Sequence, residues 1–574
     1  MWWKGEGLAA ILIFAALTGA AAQDFPGPKG DGVRAPHLLH LPVDWAGVEP
    51  DASPSTDTAA ADTAALDGKA SDAADEEAAI AGKDTAAALR LLNHASDARF
   101  PGIARSPLPV LLPAAAPHNG EPPAGEPVPQ YPGLSGPEFR PTFFQAGPAG
   151  YDAVFELAPE SPLAPPRFTG TVEIHITGAS FVYELSEPVG VDPKPVSPAL
   201  TDFEGLRRIY LQHHMRYLFS RHGAQYAVSI LCFEGRPTAR RLSCRDADPV
   251  AVRFLRSLEL FGGMPQDTVE KKQPLPMERA ASQTTSFRYR PVGELMAGTG
   301  YRRRGGREDE TVYAPVRFPL AMAPAHVYSQ LYATPSDCGD GRTGPVARRR
   351  GNQGPCAVGN TGDTDATGQP PMPLWRDNFC EARDFSVGQC PAGRGHQGQD
   401  IVPVGCSFGG PESERCTADR RRLVATQDTT VIRRPGQEGL TLHRHSATER
   451  IRFRYLHMAP QETDALGMVS GRQVRMGETI GTLSNFSRRP GGTSYHLHFD
   501  MQVFGRSGWV LVNPYMTLVA AYEHLTGSQG VLKPTPAAAS IPAIVKPASV
   551  KPAPKKKPAK KKPVRRKAKS GKQR

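Results

Sequence analysis

Runs of alternating apolar and polar residues predict β-strands in three parts of this chain. Thr171–Thr177 reads TVEIHIT, Gln225–Phe233 is largely apolar, and Tyr495–Val503 alternates aromatic and aliphatic residues with polar ones. A period of two is typical of a strand with one buried face. The stretch 442–500 contains several more short alternating runs, so we expect the C-terminal half to be rich in β-structure.

A wider apolar spacing predicts helices in the N-terminal half. The clearest is Asp202–His222, which is followed by Gly223, a residue type that often ends a helix. Its apolar stripe consists of Leu206, Ile209, Leu218 and Phe219. A second helix is predicted over Asp248–Leu260, and a shorter one over Glu76–Leu92, where Ala, Glu and Leu favour it. Together with two of the strands, these helices predict a small α/β domain over residues 151–265.

Composition separates these predicted folded parts from long linkers. The chain has 574 residues, of which 57 are proline and 57 glycine. Residues 23–150 are dominated by Pro, Ala and Asp, and residues 526–574 by Lys, Pro and Ala. Such segments bury too little apolar surface to offset chain entropy. We therefore predict a disordered spacer, a disordered basic tail and, over residues 266–335, a basic connector from which Val312–Leu320 and Ala325–Tyr332 could pack onto the next domain.

The first 22 residues have the features of a secretory signal peptide. Lys4 precedes an apolar run from Leu8 to Leu17, and Gly19–Ala22 offers small residues for cleavage. The apolar run is short for a membrane span, although an uncleaved anchor is an alternative. We expect an exported protein, periplasmic or secreted, without a transmembrane segment after signal removal.

The net charge of +11 comes from the C-terminal tail. Residues 533–574 hold 15 of the 68 Lys and Arg residues and no acidic residue, which leaves 53 basic against 57 acidic residues elsewhere. A polycationic tail binds polyanions by charge attraction and counterion release. For an exported protein, we expect these to be anionic cell-envelope polymers or lipid, with no specific nucleic acid; a merely solubilising tail is the alternative.

Three histidine-bearing motifs carry the candidate chemistry. They are GHQGQD at 395–400, RYLHM at 454–458 and YHLHFD at 495–500. Residues two apart on a strand share a face, so His496 and His498 should project into one site. A catalytic zinc ion usually has three protein ligands and one open position. His396, Asp400 and one member of the His496/His498 pair fit that number, which leaves the other member and His457 for acid–base work.

The ordered set of motifs resembles the LytM-type (M23, lysostaphin-like) zinc metallopeptidases. The flanks match too: GRQVRMGETIG at 471–481 and Val512–Pro514 resemble that family's strand-and-turn and its closing Val-Asn-Pro. The resemblance covers roughly residues 385–520 and implies a β-rich peptidase domain of antiparallel sheets, which we place at 336–525. It assigns Zn²⁺ to His396, Asp400 and His498, and non-ligand catalytic roles to His457 and His496, without deciding which of the two is the base.

The resemblance implies a zinc metalloendopeptidase that cleaves peptide crosslinks of peptidoglycan through a zinc-activated water. Two alternatives remain at this point. One is a catalytically silent LytM scaffold that binds cell wall or activates another hydrolase; the other is a secreted peptidase acting on proteins. The role of residues 151–265 also stays open between wall targeting, bracing and autoinhibition.

The cysteines indicate disulfides around the first histidine motif. Their even number behind a predicted signal peptide favours disulfides, and the lack of a CxxC pair disfavours a structural zinc site. We expect nearby disulfides to fix the ligand loop that Cys390 and Cys406 bracket. An insert over Cys406–Leu423 could narrow the cleft, and Trp375–Asn378 could line it or simply pack. The eight cysteines are Cys232, Cys244, Cys338, Cys356, Cys380, Cys390, Cys406 and Cys416.

Overall fold

The computed structural model describes most of the predicted folded parts and shows a predominantly β protein with few helices. The described residues all lie within the first of two units of the chain, Met1–Lys533. The predicted signal peptide and residues 533–574 of the basic tail lie outside them. The described ranges are 35–48, 73–114, 139–185, 193–200, 203–211, 213–234, 237–265, 286–293, 309–327, 373–381, 395–404, 406, 416–493 and 495–532.

The N-terminal part is built around a six-stranded sheet. The order is β3-β4-β5-β9-β8-β7, and each neighbouring pair is antiparallel. Strands β2 and β10 form a separate antiparallel pair. The elements are β1 (Leu38–His40), α1 (Ala73–Asp97), β2 (Val110–Pro113), β3 (Arg140–Gly147), β4 (Gly150–Leu157), β5 (Val172–Ala179), β6 (Phe181–Tyr183), β7 (Arg207–Leu211), β8 (His214–Arg221), β9 (Ala224–Leu231), α2 (Cys244–Arg256) and β10 (Leu258–Gly262).

The helix predicted over Asp202–His222 is wrong, because this stretch forms the hairpin β7–β8. Its sheet is covered on both faces: Tyr217 packs into the core of the N-terminal part, whereas Leu218 packs into a second cluster. A strand buried on both faces loses the two-residue alternation and cannot be told from a buried helix by periodicity. Gly223 ends no helix; with His222 it forms the β8–β9 turn, where both residues have positive φ.

Other boundaries also shift. The second predicted helix exists but runs over Cys244–Arg256, where the Ser243 side chain accepts from the N–H of Asp246, and the chain then continues as strand β10. The helix predicted over Glu76–Leu92 is confirmed within α1. The predicted α/β domain is therefore mostly antiparallel sheet.

The prediction that residues 23–150 are disordered throughout is also wrong for the described part of that segment. Leu89 of α1 and Phe100 are buried, and β3 supplies an edge of the six-stranded sheet. The average composition of the segment is rich in Ala and so gave no sign of these few large apolar residues. Their burial offsets the conformational entropy that the chain loses on ordering.

The C-terminal part adds strands to one large mixed sheet. Its main order is β19-β16-β17-β18-β21-β14-β12-β13-β11-β23, with β22 and β6 also pairing with β21. Strands β15 and β20 form a separate pair. The elements are β11 (Arg288–Tyr289), β12 (Ala325–Val327), β13 (Leu374–Trp375), β14 (Gln399–Pro403), α3 (Ala418–Arg421), β15 (Arg422–Val424), β16 (Thr429–Ile432), β17 (Leu440–His445), β18 (Arg450–Leu456), α4 (Pro460–Ala465), β19 (Gln473–Val474), β20 (Thr479–Thr482), β21 (Leu497–Gly505), β22 (Gly508–Val512), α5 (Tyr515–Thr526) and β23 (Val531–Leu532).

Segments that were predicted to be connector and tail contribute to this part. Phe318 and Val327 are buried in its core, which confirms the expected packing of Val312–Leu320 and of residues 325–327; residues 328–332 lie outside the described ranges. The chain remains ordered beyond residue 526, because β23 pairs with β11.

The central strands of the large sheet have one apolar and one polar face. On β18, Ile451, Phe453 and Tyr455 are fully buried in the core. Because side chains alternate along a strand, Arg450, Arg452 and Arg454 lie on the opposite face. The register places Arg452 opposite Gln502, Arg454 opposite Asp500 and Leu456 opposite His498. One continuous polar face therefore carries both the histidine motif and the three arginines.

The six-stranded sheet contacts one end of this polar face. Asp152 of β4 pairs with Arg450 at 2.7 Å and with Arg452 at 3.0 Å, and its Oδ2 lies 3.3 Å from Nε2 of His443. Trp509 of β22 packs with Leu218 in the apolar cluster beside them. The contact is both apolar and ionic, as a brace would require; bracing, wall targeting and autoinhibition all remain proposals for this part.

None of the helices in the described part of the chain is long and apolar enough to cross a membrane.

Candidate metal centre

Two neighbouring strands bring the first and third histidine motifs together. Asp400 on β14 lies directly opposite His498 on β21, and both belong to the polar face of the large sheet. His396 lies in the loop just before β14. Its backbone N–H donates to the carbonyl of Glu381 at 2.8 Å, and its own carbonyl accepts from the N–H of Cys380 at 2.6 Å. The segment 373–381, which contains β13 and the residues that follow it, therefore holds His396 in place.

Three donor atoms converge at this point. Nε2 of His396 lies 2.8 Å from Nδ1 of His498 and 3.1 Å from Oδ1 of Asp400, and Nδ1 of His498 lies 3.3 Å from the same oxygen. All three residues are largely buried. Two ligands that each lie about 2.0–2.1 Å from a tetrahedral zinc ion are about 3.3 Å apart. The three atoms thus have the mutual spacing of ligands to one small cation.

In each of the two imidazoles, the ring nitrogen that points away from the other ring has an acceptor of its own. Nδ1 of His396 lies 3.0 Å from the carbonyl oxygen of Asn378, and Nε2 of His498 lies 3.4 Å from Oδ2 of Asp500. Both partners only accept hydrogen bonds, so a proton on each of these two nitrogens would have an acceptor. In that tautomer, Nε2 of His396 and Nδ1 of His498 would face a bound cation as lone pairs.

The local charge also favours a cation. Burial opposes a positive charge on His498, but the carboxylates of Asp400 and Asp500 outweigh it and raise the pKa of His498 above its ordinary value. The site therefore attracts positive charge, whether a proton or a metal ion. Imidazole nitrogens and a carboxylate oxygen are the donor set that zinc takes in catalytic sites. The residues present fit a zinc ion.

Gly398 leaves the space in which His498 lies. A Cβ atom at this position would be 2.6 Å from the carbonyl oxygen of Phe499 and 2.7 Å from Nε2 of His498. Real side chains do not approach so closely, so the first motif requires a glycine two residues after His396. This requirement explains the central G of GHQGQD.

The remaining two motif histidines lie beside the three donors. The ring centroids of His457 and His496 are 4.5 Å apart, and Nε2 of His496 lies 3.6 Å from Oδ1 of Asp400. Nδ1 of His457 lies 2.9 Å from the carbonyl oxygen of Phe486 and so carries the proton, which leaves its Nε2 as a lone pair. The structure thus brings all five predicted site residues together.

His457 has a backbone conformation that non-glycine residues rarely adopt. Its φ is +66°. Its carbonyl accepts from both the N–H and the hydroxyl of Ser484, at 2.7 and 2.9 Å. Strained conformations of this kind persist where the surroundings over-determine them, often at functional sites.

Sequence reasoning missed the residues that orient the motif histidines. Asn378 binds His396 through its carbonyl, and its side chain accepts from the N–H of Asp400 at 3.3 Å. Ser484 and Phe486 position His457. Backbone carbonyls leave no trace in sequence. Trp375–Asn378 do not line the cleft: Trp375 is buried among aromatic rings, and Arg376, Asp377 and Asn378 are buried as well.

The disulfide expectation is met for two pairs among the described residues. Cys232 bonds to Cys244, and Cys406 bonds to Cys416. Cys380 is also disulfide-bonded, and its N–H holds the carbonyl of His396. Cys390, which was expected to bracket the ligand loop, lies outside the described residues together with Cys338 and Cys356.

Comparison with known proteins adds little to this geometry. No protein-family model and no curated protein matches the chain. One solved structure that resembles it is that of a proposed glycyl-glycine endopeptidase, LytM, from Ruminococcus gnavus ATCC 29149. The sequences are 19% identical, the TM-score is 0.17, and the match covers 24% of this chain and 51% of the other. The chain thus matches about half the length of that protein, and a likeness of this extent establishes neither family nor activity.

Proposed function

We propose that this protein is an exported zinc metalloendopeptidase that cleaves peptide crosslinks of peptidoglycan. The observation that carries the metal part is the convergence of His396, Asp400 and His498, whose donor atoms lie 2.8–3.3 Å apart. The peptidoglycan part rests on the resemblance of the ordered motifs to LytM-type enzymes, the predicted signal peptide and the basic tail.

In this proposal His396, Asp400 and His498 hold the metal. When bound, zinc supplies a Lewis acid that polarises a carbonyl group and lowers the pKa of coordinated water. The half-buried His457 presents a lone pair at Nε2 and can accept a proton. His496 lies beside both His457 and Asp400 and can donate a hydrogen bond to a developing oxyanion. We therefore assign the base role to His457.

Digestion of purified sacculi tests the proposal. The zinc-loaded protein should release new peptide fragments that mass spectrometry identifies, and a chelator should abolish their release. His457→Ala should also abolish it, whereas His94→Ala, an exposed histidine on α1, should not. Sacculi that bind the protein but yield no fragments would favour the silent scaffold. Cleavage of glycine-rich proteins but not of sacculi would favour a secreted protein-directed peptidase.

We further propose that the tail, residues 533–574, binds anionic envelope polymers or lipid. Its 15 basic residues and lack of acidic ones support this role. Deleting it should weaken sedimentation with sacculi at low salt and leave cleavage of small soluble peptides intact. Unchanged sedimentation would remove the tail from the account.

A further inference from the structure

The three arginines on the polar face of β18 differ in what surrounds them. Arg450 is fully buried and donates to Asp152 and to the carbonyls of Ala149, Tyr151 and Gly178. Arg452 is 11% exposed, pairs with Asp152 and lies 3.9 Å over the ring of Trp509. Both guanidinium groups are therefore committed to the contact with the six-stranded sheet.

Arg454 is in a different situation, because its side chain is 37% exposed. Its Nε donates to Oδ2 of Asp500 at 2.7 Å. Among the described residues it has no other polar partner, and Thr441 is its uncharged neighbour on β17. The edge formed by its two Nη groups is therefore left open. A guanidinium group presents such an edge to carboxylates in a bidentate, charge-assisted pair.

The open edge is close to the candidate metal centre. The same Asp500 oxygen that accepts from Arg454 lies 3.4 Å from Nε2 of His498, so a single carboxylate separates the guanidinium group from a proposed metal ligand. A group bound by Arg454 would therefore belong to a substrate residue close to the bond attacked.

The polar face is closed soon after Arg454. Arg452 is the next residue along β18 on this face. Its guanidinium group stacks on the ring of Trp509 and pairs with Asp152. A substrate that extends in this direction therefore meets the docked six-stranded sheet just beyond Arg454. Arg454 is the last basic group on β18 that such a substrate can reach.

From this arrangement we propose that Arg454 is a specificity-determining residue that binds a carboxylate of the peptide substrate close to the cleaved bond. This inference rests on the proposed peptidase function. The carboxylate is either the C-terminus of the peptide or an acidic side chain; both offer the same pair of oxygens. Asp500 has a positioning role, because it holds Arg454 by Nε and leaves the Nη edge free.

Synthetic peptides spanning the bond identified in the sacculus digest test this inference. Each carboxylate is converted in turn to the carboxamide, so that terminal and side-chain carboxylates are distinguished. For the unmodified protein, one such conversion should lower kcat/KM about tenfold or more, chiefly through KM, as expected for the loss of a charge-assisted pair. Arg454→Gln should reduce the carboxylate-to-carboxamide ratio to near one, and Arg454→Lys should restore part of it.

The ratio distinguishes recognition from a merely structural role. A variant that disturbs Asp500 or the metal centre slows both members of a pair alike and leaves their ratio unchanged. Arg475→Gln, at an exposed arginine in the turn before β20, should keep the ratio of the unmodified protein. If the unmodified protein cleaves the carboxylate and carboxamide peptides of every pair equally well, the inference is overturned. It is also overturned if the carboxylate-to-carboxamide ratio is unchanged in Arg454→Gln. Sacculi that release no peptide fragment overturn the proposed peptidase function, and this inference with it.

Discussion

Asp152 and Arg450 form an ion pair of 2.7 Å although both side chains are almost fully buried. The pair joins strands that are about 300 residues apart in the chain and connects the six-stranded sheet to the large one. A charge buried in this way needs its partner, because water cannot replace it.

Asp152→Asn should therefore destabilise the protein strongly. The substitution leaves Arg450 buried with carbonyl partners only, and removal of one member of a buried pair typically costs roughly 3–5 kcal/mol. Urea unfolding measures the change in the free energy of unfolding. Glu478→Gln, at the partly exposed pair with Arg472, is the matched control and should change it by no more than about 1 kcal/mol. Equal effects of the two substitutions would show that the buried pair does not hold the two parts together.

The same contact should make the protein sensitive to acid. Burial lowers the pKa of His443 to about 3, although Asp152 partly opposes this shift. Burial alone would raise the pKa of Asp152, but Arg450, His443 and Arg452 hold it well below its usual range. The unfolded chain takes up a proton at His443 below about pH 6.5, whereas the folded protein does not, so this stability is present above pH 6.5 and is lost as the pH falls towards 3.

Thermal unfolding of chelator-treated protein measures this acid sensitivity without a contribution from the metal. The Tm should fall from pH 7 to pH 4, with each such group contributing up to about 1.4 kcal/mol per pH unit. His443→Gln should reduce the slope. A Tm that is constant or rises over this range would contradict the assignment of a neutral His443.

Gly398→Ala should disable the metal centre. The added methyl group would lie 2.7 Å from Nε2 of His498, so the imidazole or its strand must move. We expect loss of metal and of peptidase activity together, with the fold retained by circular dichroism. Gly47→Ala is the control, since a Cβ there meets only Asp44 at 3.7 Å. Retention of full metal content by the Gly398 variant would show that His498 has more freedom than this geometry allows.

His457→Ala and His496→Ala should separate metal binding from turnover. Neither ring belongs to the group of three converging donors, so both variants should keep most of the zinc. Loss of a general base or of an oxyanion donor typically lowers turnover by about 10²- to 10⁴-fold. Metal analysis alongside peptide hydrolysis checks both statements. A variant that loses its zinc would mean that the ligand assignment is wrong.

The candidate site could be predicted from the sequence because its chemistry is local. His396 and Asp400 are four residues apart, and His496 and His498 alternate on one strand, so each short motif carries its own geometry. The choice of His498 over His496 as ligand did not follow from strand geometry; it needed the family resemblance. In the structure, Oδ1 of Asp400 lies 3.3 Å from Nδ1 of His498 and 3.6 Å from Nε2 of His496.

The parts that could not be predicted depend on distant contacts. The hairpin β7–β8 resembled a helix because both of its faces are buried, so Tyr217 and Leu218 are apolar side by side. The pairing of Asp152 with Arg450 has no local signature in either segment. The same is true of the Asn378 carbonyl that orients His396, since any residue could supply it.

The central claim is that one metal ion is held by His396, Asp400 and His498. Zinc content per chain, measured by mass spectrometry on protein purified in parallel with its variants, tests it most directly. We predict about one zinc per chain for the unmodified protein and for His457→Ala, and near-complete loss for His396→Ala, Asp400→Ala and His498→Ala. Unchanged zinc content in any of these last three variants would contradict the account.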